Sequence, residues 1–532
     1  MDKDILNKTI EILDSVSPTF CTAKWLQPTL NLNTGTAASC CLGTFHPIKA
    51  EGIKDEPHRL VNPEAVYQDR KELLTGVKSK SCMVCLKIGA FDKTEPNERI
   101  YRSSEDWSHN ELHRIEEAGA TKPVVPSSLE VTFNNKCQFK CLYCEAPTSS
   151  AIMDETNKFG PLPIETQSNS KSYWDKRSFT FYDDDSNPYK DAFWDWFLEH
   201  SKELYIFRIT GGEPLLSEDT FKVLEFFEQN PHPNLKLVIN TNLGVSKSFL
   251  DKFAERLKNL GKDNLKEITI VTSVDTYGKD AEFVRYGLKW DVFVKNTEFL
   301  LLNFPNINMS ITSTFTIFSI FNFPKLITEV ERLKSLRPSR PIHLSTYPLI
   351  VPMHLGIQYL KDYFQDEFEL IRQTLNNSNL TDFEKDLIKR SINVYGDDDE
   401  NDYHRGYMIA QFYWHITEIE RRRKVDMLSY HPQLKEFYSR AKESSEYIIN
   451  YWLDCIERNQ FIHEGQIELL FNFLRVTKYN NPTFEELFRK RYGDVKNIKA
   501  KIFFMLNPNG ARLPHSYKHI WNQCLKEYTQ YV

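Results

Sequence analysis

The chain has 532 residues and a formal net charge of −6; 41% of its residues are hydrophobic and 13% are aromatic. This composition is typical of a globular protein rather than a disordered one, and the length predicts two or three domains. Because the net charge is mildly acidic, we expect no nucleic-acid partner. The N-terminus lacks the basic and apolar runs of a signal peptide, and no stretch has the length of a transmembrane helix. We therefore expect a cytoplasmic protein without a membrane partner, whose ten cysteines stay reduced and serve metal or redox chemistry.

Three regions differ in their sequence pattern, and each is predicted to be a domain. Residues 1–125 contain half of the cysteines, between short strand-like and helical pieces. Residues 126–357 alternate short β-rich runs with helical segments, and residues 358–532 are mostly helical, with apolar residues spaced three and four apart. The polar segment 148–174 is too long for an ordinary βα loop and is predicted to be a lid.

The second region carries the clearest periodic pattern. Its predicted strands cover residues 128–133, 204–210, 235–241, 267–273, 307–315 and 342–346. Six strands separated by helices predict parallel βαβ units, in which chemistry is found at the C-terminal ends of the strands. One intervening helix has a clear start signal, because Ser217 is a suitable N-cap for the run that follows it.

Three cysteines follow the first of these strands directly. Cys137, Cys141 and Cys144 have a C-x3-C-x2-C spacing, and no fourth cysteine lies nearby in the sequence. A structural zinc site requires four ligands, so the triad suits it poorly. A 4Fe-4S cluster bound by three thiolates leaves one iron open to another ligand. With Tyr143 before the last cysteine, the motif resembles that of the radical S-adenosylmethionine (SAM) superfamily.

This resemblance implies both a fold and a reaction. The fold is an incomplete (β/α)6 barrel, and the three cysteines hold a 4Fe-4S cluster whose open iron binds the amino and carboxylate groups of SAM. An electron from the cluster splits SAM into methionine and a 5′-deoxyadenosyl radical, which abstracts hydrogen from a substrate. The resemblance also implies a reducing electron donor such as flavodoxin or ferredoxin.

A second signature follows the next predicted strand, in the run "RITGGEPLLSE". Its central residues, similar to the GGEP motif of the superfamily, are Gly211, Gly212, Glu213 and Pro214. Glycines permit backbone to approach the SAM ammonium closely, and nearby acceptors satisfy its charge. Two signatures at the ends of consecutive strands strengthen the resemblance.

Weaker matches follow the third and fourth strands. Asn240, Thr241 and Asn242 are expected to face the adenosyl group, and the resemblance implies that Ser273 and Arg285 bind the SAM ribose and carboxylate. The planar fork of arginine suits a carboxylate. An arginine on a helix is, however, more often solvated or ion-paired, so both readings of Arg285 stay open.

The N-terminal cysteines form a second pattern, C-x13-G-x4-C followed by C-x2-C. This pattern resembles the twitch subdomain, a short form of the SPASM domain, which here precedes the barrel. The resemblance implies an auxiliary 4Fe-4S cluster for electron transfer. Its ligands would be Cys21, Cys40, Cys82 and Cys85, with Cys41 as the alternative to Cys40. A zinc site on the same four thiolates is the competing interpretation.

The main hypothesis is therefore a radical SAM enzyme with a dehydrogenase-like or peptide-modifying reaction on a small molecule or a peptide. The alternatives are a methyltransferase variant and a non-catalytic iron–sulfur or zinc protein that senses redox state or binds nucleic acid. Tyr347 and His354 are candidates for a substrate-side acid or base. Cys455 and Cys524 are expected to be buried apolar residues, and the run 421–424, "RRRK", a solvated helix face.

Overall fold

The computed structural model describes most of the chain. The described residues are 3–83, 85, 98–160, 162, 164, 181–182, 186–360, 363–394 and 402–457. The chain divides into two compact units, one of residues 1–157 and 167–397 and the other of residues 158–166 and 398–532. The boundaries expected near residues 125 and 357 stay predictions. Most of the expected lid beyond residue 160, the helices expected after residue 457, and Cys524 lie outside the described residues.

The first unit has an α/β architecture. Its strands are β1 (Thr29–Asn31), β2 (Thr36–Ala38), β3 (His46–Pro47), β4 (Ser128–Thr132), β5 (Lys140–Cys141), β6 (Ile206–Thr210), β7 (His232–Thr241), β8 (Leu265–Ser273), β9 (Arg285–Tyr286), β10 (Asn308–Phe315) and β11 (His343–Pro348). The helices up to residue 394 are α1 (Lys3–Val16), α2 (Ala23–Leu26), α3 (Glu64–Leu74), α4 (Glu98–Ser103), α5 (Asp106–His109), α6 (Leu112–Ala118), α7 (Ser150–Phe159), α8 (Pro188–His200), α9 (Glu218–Gln229), α10 (Lys247–Asn259), α11 (Lys279–Val284), α12 (Trp290–Asn303), α13 (Phe323–Leu336), α14 (Gln365–Asn377) and α15 (Asp382–Ile392).

Nine strands of the described chain form one sheet in the order β11-β10-β8-β7-β6-β4-β1-β2-β3. The six strands from β11 to β4 in this order are parallel and follow the chain order. They correspond to the six predicted strands, so the predicted α/β class with a parallel sheet is confirmed. Strand β1 extends the sheet in parallel beside β4, and β2 and β3 continue it antiparallel. The sheet therefore includes strands from the cysteine-rich N-terminal region.

The two faces of the parallel sheet carry different side chains. Along β6, Phe207 and Ile209 are completely buried, whereas the alternating Arg208 and Thr210 are only partly buried. Phe197 of α8 packs against Phe207, with ring centroids 5.0 Å apart, so helices cover the apolar face. Strands β8 and β10 alternate in the same way. A parallel sheet is normally covered by apolar contacts on both faces. In this sheet the second face instead carries partly buried polar side chains, such as Arg208 and Thr210.

Tyr347 of β11 and Arg208 of β6 are four strands apart in the order of the sheet. Burial raises the pKa of Tyr347, and the charge of Arg208 opposes this shift. The closure of these strands into an incomplete barrel stays a prediction.

Helix α9 begins immediately after Ser217, where the sequence predicts it. Ser217 occupies the N-cap position as predicted, but its side chain caps no backbone group of the helix. Its hydroxyl instead accepts a hydrogen bond from Asn134 Nδ2 at 2.9 Å. Ser217 thus joins the segment after β4 to the segment after β6.

The second unit is helical where the structure describes it. Its described α-helices are α16 (Asp402–Arg423), α17 (Met427–Tyr430) and α18 (Lys435–Glu457). Trp414 and Trp452 are completely buried between α16 and α18, and Cys455 is buried as predicted. The solvated face expected at the basic run is wrong for Arg422, whose side chain is 1% exposed and bonds to Glu418. In the described part of the chain, no helix is long and apolar enough to span a bilayer.

One carboxylate protects the outer edge of the parallel strands. Glu384 of α15 accepts hydrogen bonds from the Leu344 amide of β11 and from the Thr381 amide, both at 2.8 Å. It also pairs with Lys334 at 2.5 Å, and its side chain is 1% exposed. Because unpaired edge groups invite association with other strands, this contact both stabilises and covers β11.

We expect the Glu384→Ala substitution to lower the free energy of unfolding by about 3–5 kcal/mol, because it removes the carboxylate that pairs with the largely buried Lys334 ammonium. Asp386→Ala in the same helix is the matched control. Asp386 pairs with Arg390 but its side chain is 57% exposed, so the loss should be about 1 kcal/mol or less. Urea unfolding followed by circular dichroism measures both. Equal losses for the two variants would contradict this role of Glu384.

Candidate functional site

The cysteine loop, residues 134–144, follows β4 and is held from two sides. Strand β5 within it pairs antiparallel with β9, which places Cys141 opposite Arg285. On the other side, the Cys137 amide donates a hydrogen bond to Ser150 Oγ at 3.1 Å. The loop therefore has a fixed conformation at the C-terminal end of the first parallel strand.

The three thiols of this loop lie close together. A hydrogen bond to Cys141, burial and the neighbouring thiols raise the pKa of Cys144 well above its usual value. Burial is the main cause that raises the pKa of Cys137 to about 12, and Cys141 adds to it. The structure thus brings Cys137, Cys141 and Cys144 into one group, as the sequence predicts.

The GGEP loop, residues 211–214, packs directly on the backbone of the cysteine loop. A Cβ at Gly212 would lie 2.3 Å from the Lys136 carbonyl oxygen, and one at Gly211 would lie 2.7 Å from Thr132 Cγ2. Gly211 also has a φ of +117°, which side-chain-bearing residues rarely adopt. The Glu213 amide then donates to the Lys136 carbonyl at 2.6 Å. Both glycines are therefore required by contact between two loops of the chain itself.

The Glu213 carboxylate joins the end of β6 to the end of β7. It accepts hydrogen bonds from Thr241 Oγ1 and from the Asn242 amide, each at 2.6 Å, and from the Leu215 amide at 3.0 Å. Pro214 begins the short 3-10 helix that this last bond caps. Glu213 is 1% exposed, and burial raises its pKa to about 7 despite these donors.

The two candidate asparagines have different surroundings. Asn242 Nδ2 lies 3.9 Å from Cys137 Sγ, and its Oδ1 accepts hydrogen bonds from Gln138 and from the Gly244 amide. Asn240 lies lower on the polar face, where its Oδ1 accepts a hydrogen bond from Arg208 at 3.1 Å. Asn242 therefore adjoins the cysteine group, whereas Asn240 lines the sheet.

Arg285 is a buried residue with internal partners. Its guanidinium makes a bidentate pair with Asp275, at 2.9 and 3.0 Å. It also donates to Tyr143 Oη at 2.6 Å and to Ser273 Oγ at 3.2 Å, and Tyr143 donates to Asp275 at 2.8 Å. The structure thus gathers three predicted residues around a carboxylate that the sequence interpretation did not select.

Sequence reasoning missed two residues that shape this site. Asp275 is completely buried, and it lies two residues after Ser273, so its position at a strand end was a usable signal. Phe139 is 1% exposed and packs where a Cβ at Gly244 would lie 2.2 Å from its ring. Nothing in the spacing of the cysteine motif distinguishes Phe139 from the other intervening residues.

The N-terminal cysteines line one cavity of about 430 Å³, which we call the N-terminal cavity. Its cysteines are Cys21, Cys40, Cys41, Cys82 and Cys85. Burial raises the pKa of Cys21 to about 11 and that of Cys85 to about 12, and repulsion from the neighbouring cysteines adds to both shifts. Cysteines far apart in the sequence are therefore brought to one pocket, and their role as a ligand set stays a prediction.

Cys40 and Cys41 have different electrostatic neighbours. Cys40 interacts with the other three candidate ligands, because it contributes to the pKa shifts of Cys21, Cys82 and Cys85. Burial raises the pKa of Cys41 to about 12, and its charged neighbours include Arg102, Glu130 and Glu98 as well as Cys40. Glu130 belongs to β4, so Cys41 also lies near a charge of the sheet.

The two candidate acid–base residues differ in accessibility. Tyr347 is 49% exposed at the end of β11, with Arg102 and Cys41 among its electrostatic neighbours. His354 is completely buried, and burial lowers its pKa to about 3. Of the two, only Tyr347 is positioned to meet a substrate.

The donor sets consist of thiols, which serve as ligands both of iron–sulfur clusters and of zinc. In the part of the chain that the structure describes, no three His, Cys, Asp or Glu side chains converge closely enough to hold one metal ion. A cluster does not require that convergence, because each thiolate binds a different iron. Three grouped thiols beside a buried arginine, and four around a cavity beside a lysine, match thiolate ligands of anionic clusters.

Glu213 gives a testable pH dependence. Its folded pKa, about 7, lies above the ordinary value of 4.5, so the folded state holds a proton that the unfolded state loses first. Its contribution to stability is therefore complete below about pH 4.5 and is lost as the pH rises to about 7. Relative to Glu213→Gln, the wild-type free energy of unfolding should fall by about 3 kcal/mol between pH 4.5 and pH 8.

Urea unfolding of both proteins across this range, under anaerobic conditions and without metal, measures the difference. Glu225→Gln is the control, because that carboxylate pairs with Arg256 and its side chain is half exposed. A constant difference between wild type and Glu213→Gln at all pH values would show that Glu213 does not titrate in this range.

No family model and no curated protein matches the chain. Among solved structures, SuiB of Streptococcus suis bound to S-adenosylmethionine is similar at 15% identity, with a TM-score of 0.31, over 67% of this chain and 71% of that chain. SuiB bound to its precursor peptide SuiA gives the same identity and TM-score, over 67% and 70%. TYW1 with a lysine-pyruvate adduct follows at 14% identity and a TM-score of 0.24, over 46% and 70%. Similarities of this size carry no argument about this chain, whose interpretation depends on its own residues.

Proposed function

We propose that the chain is a radical SAM enzyme. Cys137, Cys141 and Cys144 would hold a 4Fe-4S cluster with one open iron, and SAM would bind there. The observation that carries this proposal is the packing of the cysteine loop on the GGEP loop, which presents three grouped thiols at the C-terminal end of a parallel sheet. Chemistry at that end of the strands is the rule for folds of this class.

The cluster and SAM would supply the electron and the 5′-deoxyadenosyl radical that abstracts hydrogen from the substrate. The residues of this chain then have two tasks, which are to hold the cysteines and to orient SAM. Arg285 serves the first, because its charge favours the thiolate forms of Cys137 and Cys144. Its Nε and both Nη atoms already donate to internal acceptors, so we assign it mainly to positioning Tyr143 and Asp275.

Two loop ends are assigned to SAM. Asn242 adjoins Cys137, and its backbone amide donates to Glu213, so Asn242 would lie beside the open iron of a cluster held by this loop. The backbone of Gly211 and Gly212 is fixed beside the same loop and offers its carbonyl groups to the SAM ammonium. Ser273 and Asn240, on the polar face, are the candidates for the ribose and the adenosyl group.

The polar face of the parallel sheet is the proposed substrate surface. Arg208 lies 3.7 Å from Glu130 and bonds to Asn240, while Thr210 and Tyr347 add hydroxyl groups to the same face. A face of paired charges and hydroxyls favours a hydrogen-bonding substrate over an apolar one. A small polar molecule and a peptide both meet this requirement.

The N-terminal cavity is proposed to hold an auxiliary 4Fe-4S cluster. Its ligands would be Cys21, Cys40, Cys82 and Cys85, which interact with one another as a group. Four protein ligands leave no open iron, so this cluster would transfer electrons, and flavodoxin or ferredoxin would be suitable reducing partners. Cys41 lines this cavity and also lies near the charge of Glu130 in β4.

The reaction class is tested by anaerobic reconstitution with iron and sulfide, reduction with dithionite in the presence of SAM, and chromatography for 5′-deoxyadenosine. Wild type should form 5′-deoxyadenosine, and Cys141→Ala should reduce the yield at least 100-fold, because removing a thiolate ligand abolishes the reactive cluster. Cys455→Ala, a buried cysteine in the other unit, should retain wild-type yield.

Equal yields from wild type and Cys141→Ala would contradict the assignment of the reactive cluster to this loop. A protein that contains both clusters but forms no 5′-deoxyadenosine would favour the redox-sensor alternative.

A further inference from the structure

We propose that Lys24 and Asp69 set the reduction potential of the auxiliary cluster in opposite directions, Lys24 raising it and Asp69 lowering it. This inference rests on the proposed function only in requiring a cluster in the N-terminal cavity. It assigns a task to two buried charges that the proposed reaction does not otherwise use.

Lys24 is held in one position. Its side chain is 2% exposed, and Nζ donates hydrogen bonds to Ser39 Oγ at 2.7 Å and to Ser81 Oγ at 2.9 Å. Ser39 directly precedes Cys40, and Ser81 directly precedes Cys82. The ammonium is thus anchored beside two of the four proposed ligands.

The ammonium also acts on the sulfur of one of these ligands. An ammonium has three N–H groups, and two are used by Ser39 and Ser81. Burial raises the pKa of Cys82, and both the charge of Lys24 and a hydrogen bond from it oppose this shift. Lys24 therefore already favours negative charge on sulfur at this site.

Asp69 supplies a compensating negative charge. Its Oδ2 lies 3.9 Å from Lys24 Nζ, within ion-pair range but longer than a direct hydrogen bond, and accepts from Ser39 Oγ at 3.2 Å. Its Oδ1 accepts from Ser79 Oγ at 2.8 Å. Asp69 is thus the buried ion-pair partner of Lys24, and its charge adds to the effect of burial in raising the pKa of Cys82, so both charges act at the proposed ligands.

The sign of the effect follows from Coulomb's law. Reduction adds one electron to a cluster that is already anionic, and in a buried site each fixed charge is weakly screened. A cation stabilises the reduced form and raises the potential, whereas an anion lowers it. Hydrogen bonds and charges around the sulfurs are general determinants of cluster potential.

The test is a dithionite titration of the reconstituted full-length protein, followed by low-temperature EPR, for wild type, Lys24→Met and Asp69→Asn. Lys24→Met should lower the potential of the auxiliary cluster by about 59 mV or more, a tenfold change in the equilibrium constant for this one-electron step. Asp69→Asn should raise it. The cluster on Cys137, Cys141 and Cys144 is the internal control and should keep its potential in all three proteins.

Shifts in the same direction, or no shift in either variant, would overturn this inference while leaving the proposed function intact. If Lys24→Met does not fold or load iron, Lys24→Arg and Asp69→Asn still test the inference. Lys24→Arg should retain the wild-type potential of the auxiliary cluster, and Asp69→Asn should raise it. A wild-type protein that loads only one cluster overturns the auxiliary cluster itself, and this inference with it.

Discussion

The close contact between the GGEP loop and the cysteine loop is the constraint on which the rest of the site depends. A Cβ at Gly212 would collide with the backbone of Asn135 and Lys136, so only glycine lets the two loops meet. That contact fixes Cys137 relative to β6. It also places Glu213, one residue later, where its carboxylate reaches the end of β7. One steric requirement thereby positions three consecutive strand ends.

Both cysteine groups have the same electrostatic design. Each lies beside a buried cation that is paired with its own carboxylate, Arg285 with Asp275 and Lys24 with Asp69. A lone buried carboxylate or cation would be costly, whereas these pairs are held by further hydrogen bonds. The pairs supply positive charge to the sulfurs without adding net charge to the interior. This arrangement would suit the anionic clusters proposed for both sites.

Much of the fold follows from patterns that the sequence displays. Six β-rich runs separated by helical segments predict the six parallel strands, because strand periodicity is a local property of the chain. Strand β1 was not predictable in this way, since its three residues acquire their place only by pairing with β4, about a hundred residues later. The burial of Arg422 was missed for a similar reason, because a basic run looks solvated until Glu418 is seen beside it.

In the candidate site, too, sequence patterns predict some features, whereas others depend on contacts between distant parts of the chain. Motif spacing identifies the cysteines, the glycines and Glu213, because close approach and ligand number demand those residue types. The spacing of the motifs does not reveal that Asp275 pairs with the Arg285 guanidinium, because this pair depends on the three-dimensional approach of β9 to the end of β8.

The most direct measurement is EPR of the reconstituted, reduced protein with and without SAM. If one cluster has an open iron and the other is closed by four cysteines, SAM should change the signal of the first and leave the second unchanged. Two EPR signals that are both unchanged by SAM, or a protein that incorporates no cluster, would contradict the proposed radical SAM site.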